Sequence, residues 1–270
     1  MRGVSVLICA SALALAVSLS ARASAEPFDA VERLAKDKAA AVTLLKARAE
    51  RQVAIAAGDR LFAAYLNAAS LAEGARLQPR IAAMLATLVD RFGIREVAVV
   101  DRSGAFLARA GNVDRTVASL DAKTNPLMLA GFAATPHQAS LLQAALRADL
   151  IAPVVHREQI EFVLTARQDF AVYRNALGYA TTDDRYAVLT DAAGIVLAHG
   201  RNGAAGGTAI VADMTLAAIR KAAPTGIGEI AGGENRYRVS HRPAGSWTVI
   251  AVERIPAPRR CHAEGARLCG

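Results

Sequence analysis

The sequence predicts an α+β protein: a long N-terminal helix, then two small modules, each an antiparallel sheet with covering helices. Three observations predict it. Residues 28–57 contain neither proline nor glycine, and apolar residues recur there every three to four positions (Phe28, Val31, Ala35, Ala39, Val42, Leu45), the period of one helix face. The stretch EVAVVDRSGAFLARAG (Glu96–Gly111) is answered later by YAVLTDAAGIVLAHG (Tyr186–Gly200): an apolar run, an Asp-x-x-Gly turn and a second apolar run, which reads as a β-hairpin written twice. The chain then closes on GIGEIAG, RYRVSHRPAG and SWTVIAVERI, three strand-like runs separated by glycine-containing turns.

In chain order, residues 1–25 read as a secretory signal. Arg2 supplies a weak positive start, VSVLICASALALAVSLS an apolar run, and Ala23-Ser24-Ala25 small residues before a cleavage point. An uncleaved membrane anchor is the alternative. No later run reaches the ~18 apolar residues of a membrane helix, so a soluble periplasmic protein is expected. Residues 26–93 form a helical stalk: the helix to Ala57, a second segment RLFAAYLNAASLA after Gly58-Asp59, and a third that Pro79 opens, after an interruption at Gly74, and Gly93 ends. Residues 94–182 form the first module and 183–256 the second. In the first, PLMLAGFAATPHQASLLQAALRA reads as helix broken near Pro136, IAPVVHREQIEFVLTARQDF as two strands or one bent strand, and AVYRNALGYA as short helix or loop. In the second, DMTLAAIRKAA reads as a short helix. Residues 247–252 are apolar on both strand faces, as in a central strand. Residues 257–270 are a tail in which Cys261 and Cys269 suggest a disulfide, given an even count in an oxidising compartment; a metal site with His262 is the weaker alternative.

The repeated hairpin, the preceding long helix and the closing run YRVSHRPAGSWTVIAVERI, with Gly245-x-Trp247 leading into the last strand, resemble the double Cache family of extracytoplasmic sensors, whose modules are PAS-like. The resemblance covers residues 28–255. It implies a pocket between sheet and covering helices in the membrane-distal first module, a small-molecule ligand, and a membrane receptor, kinase or transporter as signalling partner. Family members usually carry a second transmembrane helix and an output domain, and this sequence has neither, so a stand-alone periplasmic form signalling through a separate partner is expected. The Arg-x-Trp-Tyr cluster of the amino-acid-binding subgroup is absent; the one tryptophan is Trp247.

The chemistry in the residues points the same way. There is no His-Glu-x-x-His, no Gly-x-Ser-x-Gly and no phosphate-cradling Gly-x4-Gly-Lys-Ser/Thr, so no enzyme, cofactor or metal is expected. The formal charge of +8 is spread along the chain without a like-charge run or interleaved aromatics, which excludes nucleic acid as the expected partner. Arginine matches a carboxylate through two parallel hydrogen bonds, which makes an organic acid a candidate ligand. The ligand-binding candidates in the first module are Arg109, His156, Arg157, Arg167, Asp169, Tyr173 and Tyr179. Arg157, Gln159, Glu161, Thr165, Arg167 and Asp169 share one strand face by the period of two; the alternative is a solvated face with Ile160, Phe162 and Leu164 in the core. In the second module Arg236, Tyr237, Arg238 and His241 are weaker candidates. The competing function is a non-catalytic structural or interaction module without a ligand, and a homodimer through the N-terminal helix is a further partnership to test.

Overall fold

The structure is a computed structural model. It describes residues 5–112, 119–121, 123–144, 147–201, 204, 210 and 214–256, with side chains from residue 28 onward except at residue 144. The expected signal segment therefore lies where side chains are not described, and Cys261, Cys269 and His262 lie outside the described residues. Among the described residues no helix is long and apolar enough to cross a membrane.

Among the described residues, ten strands form two five-stranded antiparallel sheets. The first contains β1 (Ile94–Asp101), β2 (Phe106–Gly111), β3 (Ser140–Ala144), β4 (Arg147–His156) and β5 (Gln159–Gln168), in the order β2-β1-β5-β4-β3. The second contains β6 (Arg185–Thr190), β7 (Val196–His199), β8 (Ile227–Gly232), β9 (Asn235–Ala244) and β10 (Trp247–Ile255), in the order β7-β6-β10-β9-β8. The two orders are the same when each module is counted from its own first strand. The helices are α1 (Ser5–Ala57), α2 (Arg60–Leu66), α3 (Leu71–Phe92), α4 (Pro126–Phe132), α5 (Phe170–Gly178) and α6 (Leu216–Ala222). In each module the helix after the opening hairpin, α4 or α6, precedes three closing strands.

The chain divides into two compact units, residues 41–176 and residues 1–40 with 177–270. In the first unit, one sheet face is buried against helices. Ala49, Val53 and Ala56 of α1, Phe62 of α2, and Ile81, Leu85 and Leu88 of α3 pack on Val97 and Val99 of β1, Leu150, Ala152 and Val154 of β4, and Phe162, Leu164 and Ala166 of β5. These strand residues sit two apart, as one face of a pleat requires. Phe162 anchors the layer, its ring 6.0 Å from Tyr65 edge-on and 6.5 Å from Phe62. The other face meets α4, where Leu127 packs on Ile151 and Val163.

In the second unit, Val31 and Ala35 of α1 pack on Ala251 of β10. The opposite face buries Tyr186, Val188, Val239, Ile250 and Val252 against Leu216 and Ile219 of α6. Strand β10 thus has an apolar layer on each side, as expected of the central strand it is.

The duplicated hairpins match bond for bond. The N–H of Asp101 donates to Ala105 O and that of Gly104 to Asp101 O; Asp191, Ile195 and Gly194 repeat both. Gly104 and Gly194 each have φ of 89°, a left-handed conformation that a side chain disfavours. Each hairpin also carries a bulge one residue before its aspartate pairs out, at Val99/Val100 and at Leu189/Thr190.

Three expectations are corrected. Gly74 and Pro79 both lie inside α3. The start is set instead by Ser70, whose hydroxyl accepts the Glu73 N–H at 3.2 Å while the Glu73 carboxylate accepts the Ala69 N–H at 2.9 Å, a reciprocal cap. Residues 140–144 are strand, not helix: their Leu, Gln and Ala favour helix, but pairing along β4 from Ser140↔Ile151 to Ala144↔Arg147 overrides that preference. Arg157 does not continue the polar face of β5. It and Glu158 form the two-residue turn between β4 and β5, with φ of 47° and 67°, as a type I′ hairpin demands.

Candidate functional site

The first unit holds a cavity of about 210 Å³ between the sheet face under α4 and the loop leading into that helix, lined by Ala98, Phe106, Arg109, Asn125, Thr165 and Arg167, with Glu96, Arg147, Leu120 and Leu127. Its floor is two rows of side chains. In one, Ala98 of β1 pairs with Arg109 of β2 on one side and Thr165 of β5 on the other. In the next, Arg167 of β5 pairs with Glu96 of β1 and with Asp149 of β4. The roof begins where α4 touches the sheet. A Cβ on Gly131 would fall 2.3 Å from Val163, so only glycine allows this contact, and the cavity opens beside it. Asn125 starts the helix by accepting the Leu127 N–H at 2.9 Å, and Pro126 at the first helical position fixes the entry.

The electrostatics are concentrated in the second row. Arg167 Nη2 lies 2.9 Å from Glu96 Oε1, and its Nε lies 3.5 Å from Asp149 Oδ1. Asp149 is buried at 5% exposure and also receives the guanidinium of Arg147. Two arginines and two carboxylates thus neutralise one another. Arg109 adds a third guanidinium on the adjacent row, stacked 4.0 Å from the Phe106 ring centroid. Arg167 Nε is shielded from solvent and makes no hydrogen bond. The cavity accordingly offers a cationic wall with an aromatic support, suited to a small anionic group.

Of the seven ligand-binding candidates read from the sequence, the fold brings only Arg109 and Arg167 together here. Asp169 and Tyr173 line a different crevice of about 470 Å³ with Arg48, Arg91, Phe92 and Val172. Their polar atoms already have partners: Asp169 Oδ1 accepts the Ala171 N–H at 2.9 Å, capping α5, and the Tyr173 hydroxyl donates to Gln168 Oε1 at 2.6 Å. Burial raises the Tyr173 pKa, with Glu50 adding to the effect, so this hydroxyl is a fixed neutral donor. His156 and Arg157 sit at the far hairpin turn, where Arg157 Nη2 donates to Asn67 Oδ1 at 3.1 Å. Tyr179 belongs to the second unit and is 79% exposed; its carbonyl accepts from Lys38 Nζ.

Sequence reading missed Glu96, Arg147 and Asp149. Alternating charge on strands reads as a solvated face. The one available signal was that Arg147, Asp149 and Arg167 fall on adjacent strands at matching parity. The polar face of β5 is not solvated in its central part: Thr165 is 8% exposed, with its hydroxyl toward Ala98 O at 3.5 Å.

In the second unit the corresponding space between sheet and α6 is filled by Tyr186, Ile210, Met214, Leu216 and Tyr237. Of the weaker candidates there, Tyr237 is core, Arg236 pairs with Glu229, Arg238 Nη1 lies 3.5 Å from Glu253 Oε2, and His241 Nε2 lies 2.9 Å from Ala223 O. Among the described residues no group of three His, Cys, Asp or Glu side chains could hold a metal ion.

Paired sheets of like strand order, each carrying a covering helix and preceded by one long helix, define the PAS-like double Cache fold. Solved structures share it at low sequence identity. The sensor domain of the V. cholerae histidine kinase DctB is 17% identical, with TM-score 0.57, covering 82% of this chain and 95% of that one. The sensory domain of the Campylobacter jejuni chemoreceptor Tlp3 with isoleucine bound is 10% identical, with TM-score 0.65, covering 86% and 94%. The ligand-binding domain of the Pseudomonas fluorescens chemoreceptor CtaA in complex with L-isoleucine is 14% identical, with TM-score 0.55, covering 84% and 91%. No protein-family model matches the chain, and no curated protein sequence matches it significantly.

Proposed function

We propose that this protein is an extracytoplasmic, non-catalytic sensing module that binds a small organic acid in the first-unit cavity and reports to a membrane receptor or kinase. The observation that carries the reading is the convergence of Arg109 and Arg167 on one cavity under α4. The like-folded domains of a histidine kinase and two chemoreceptors support a sensory role and a membrane partner. The apolar N-terminal segment read as a secretory signal supports a periplasmic location. The side chains that fill the matching space in the second unit support the first unit as the binding module.

A thermal-shift screen of mono-, di- and tricarboxylates tests the reading. A specific ligand raises the melting temperature by mass action, by an amount that grows with its concentration. A folded protein that shows no shift across the panel contradicts it.

One observation favours an additional interaction role. Leu44 and Ile55 of α1 are 71% and 56% exposed, and three helical turns separate them, so they share a face. Light scattering on the folded protein tests whether that face carries self-association.

A further inference from the structure

We infer that Glu96 is a built-in competitor for the ligand: its carboxylate occupies Arg167 in the empty cavity and sets how strongly an anion must bind to displace it. This rests on the proposed ligand-binding role of the cavity. The carboxylate of Glu96 stands 2.9 Å from Arg167 Nη2, on the strand beside it, and both side chains line the cavity. Both remain partly open to solvent, at 22% and 27% exposure. An anion entering the cavity therefore meets an Arg167 whose charge is already answered.

Asp149 cannot play this part. It is buried, and it is shared between Arg147 and Arg167, so it belongs to the fixed scaffold of the floor. On its other side Glu96 pairs with Gly111, a residue with no side chain to interlock with it. With Glu96 in place the lining holds three arginines against Glu96 and the adjoining Asp149. Without its charge, the Arg167 guanidinium keeps only Asp149, 3.5 Å from its Nε, and a ligand carboxylate at Nη2 would restore the charge that was lost. The arrangement keeps the empty site electrostatically satisfied and rejects anions that cannot outcompete an internal carboxylate, a form of specificity by built-in opposition.

The test is isothermal titration of wild type, Glu96→Gln and Glu158→Gln with malonate, succinate and citrate as probes. Glu158→Gln makes the same charge change at the distant hairpin turn. The inference predicts that Glu96→Gln binds at least one probe about fivefold or more tighter than wild type, with the gain shrinking as salt is raised, while Glu158→Gln matches wild type. Equal or weaker binding by Glu96→Gln, with wild type still binding, overturns the inference and leaves the ligand-binding reading standing. An equal gain in Glu158→Gln also overturns it, because the effect is then one of net charge. Binding of no probe by either wild type or Glu96→Gln, with circular dichroism showing both folded, overturns the inference together with the carboxylate reading. Glu96→Ala serves as a second variant should the glutamine replace the carboxylate's hydrogen bond to Arg167.

Discussion

Asp101 and Asp191 do the same work in two hairpins of the chain: each places Oδ1 on the backbone N–H four residues ahead, Ala105 at 2.9 Å and Ile195 at 2.8 Å. The side chain closes the turn that the backbone bonds begin, and the glycine between supplies the positive φ. This pair of turns fixes the register of β1 with β2 and of β6 with β7, and so positions Arg109 opposite Ala98.

Replacing the glycine of either turn should therefore destabilise its module. In Gly194→Ala the new Cβ would meet Leu216 Cβ at 2.8 Å with φ at 89°. A left-handed alanine costs about 1–2 kcal/mol, and the contact adds to it. At the ~2–4 °C per kcal/mol of chains of about 150–250 residues, the expected fall in melting temperature is about 2–8 °C, measured by circular dichroism. Gly104→Ala should be worse, because its Cβ would fall 1.8 Å from the Leu120 carbonyl oxygen.

Much of this architecture was legible in the sequence because local chemistry and tertiary demand agree there. The Asp-x-x-Gly repeat and the apolar runs around it need no partner to be recognised. The proline-free stripe from Phe28 was equally plain. Legibility failed where the tertiary structure overrode a local preference. Residues 140–144 have helical composition and become an edge strand because β4 offers a ladder. Pro153 sits within β4, which is tolerated because the β3 ladder ends opposite Ile151. The candidate site was half legible. Arginines could be nominated by type, but the choice of Arg109 and Arg167 over His156, Arg157 and Tyr179 depends on which strands are neighbours. Glu96 and Asp149 depend on the same long-range pairing.

His199 should make the second unit acid-sensitive. It is buried, stacks on Tyr186 with ring centroids 4.9 Å apart, and accepts the Arg201 N–H on Nδ1 at 3.0 Å. Desolvation first, and the Arg201 charge second, push its pKa from 6.5 down to about 4. The fold thus holds the imidazole neutral, and the unfolded chain binds the extra proton between those two values. Stability from this group is complete above pH 6.5 and is lost as the pH falls toward about 4. Melting temperatures across that window should fall less steeply in His199→Phe than in wild type; parallel curves would contradict the assignment.

Trp247 should be a large single contributor to the second unit. It is 1% exposed and begins the central strand, β10. Trp247→Ala should cost about 3–5 kcal/mol, measured by urea denaturation followed by circular dichroism. A loss below about 1 kcal/mol would show that the site collapses around the missing ring.

Arg109 should matter to binding more than to folding. Its guanidinium is partly exposed and rests on Phe106, an arrangement worth about 0.5–1 kcal/mol at such a site. Arg109→Ala should weaken carboxylate binding about tenfold or more while lowering the melting temperature by only a few degrees, with Arg109→Lys intermediate because it keeps charge and loses the planar fork. Titration calorimetry beside a thermal melt separates the two effects.

The most direct measurement is a crystal structure grown with the carboxylate that gives the largest thermal shift. The account predicts ligand density over Ala98 and Thr165, beneath α4, with a carboxylate against Arg109 or Arg167. Density confined to the second unit, or to the crevice lined by Asp169 and Tyr173, would contradict it.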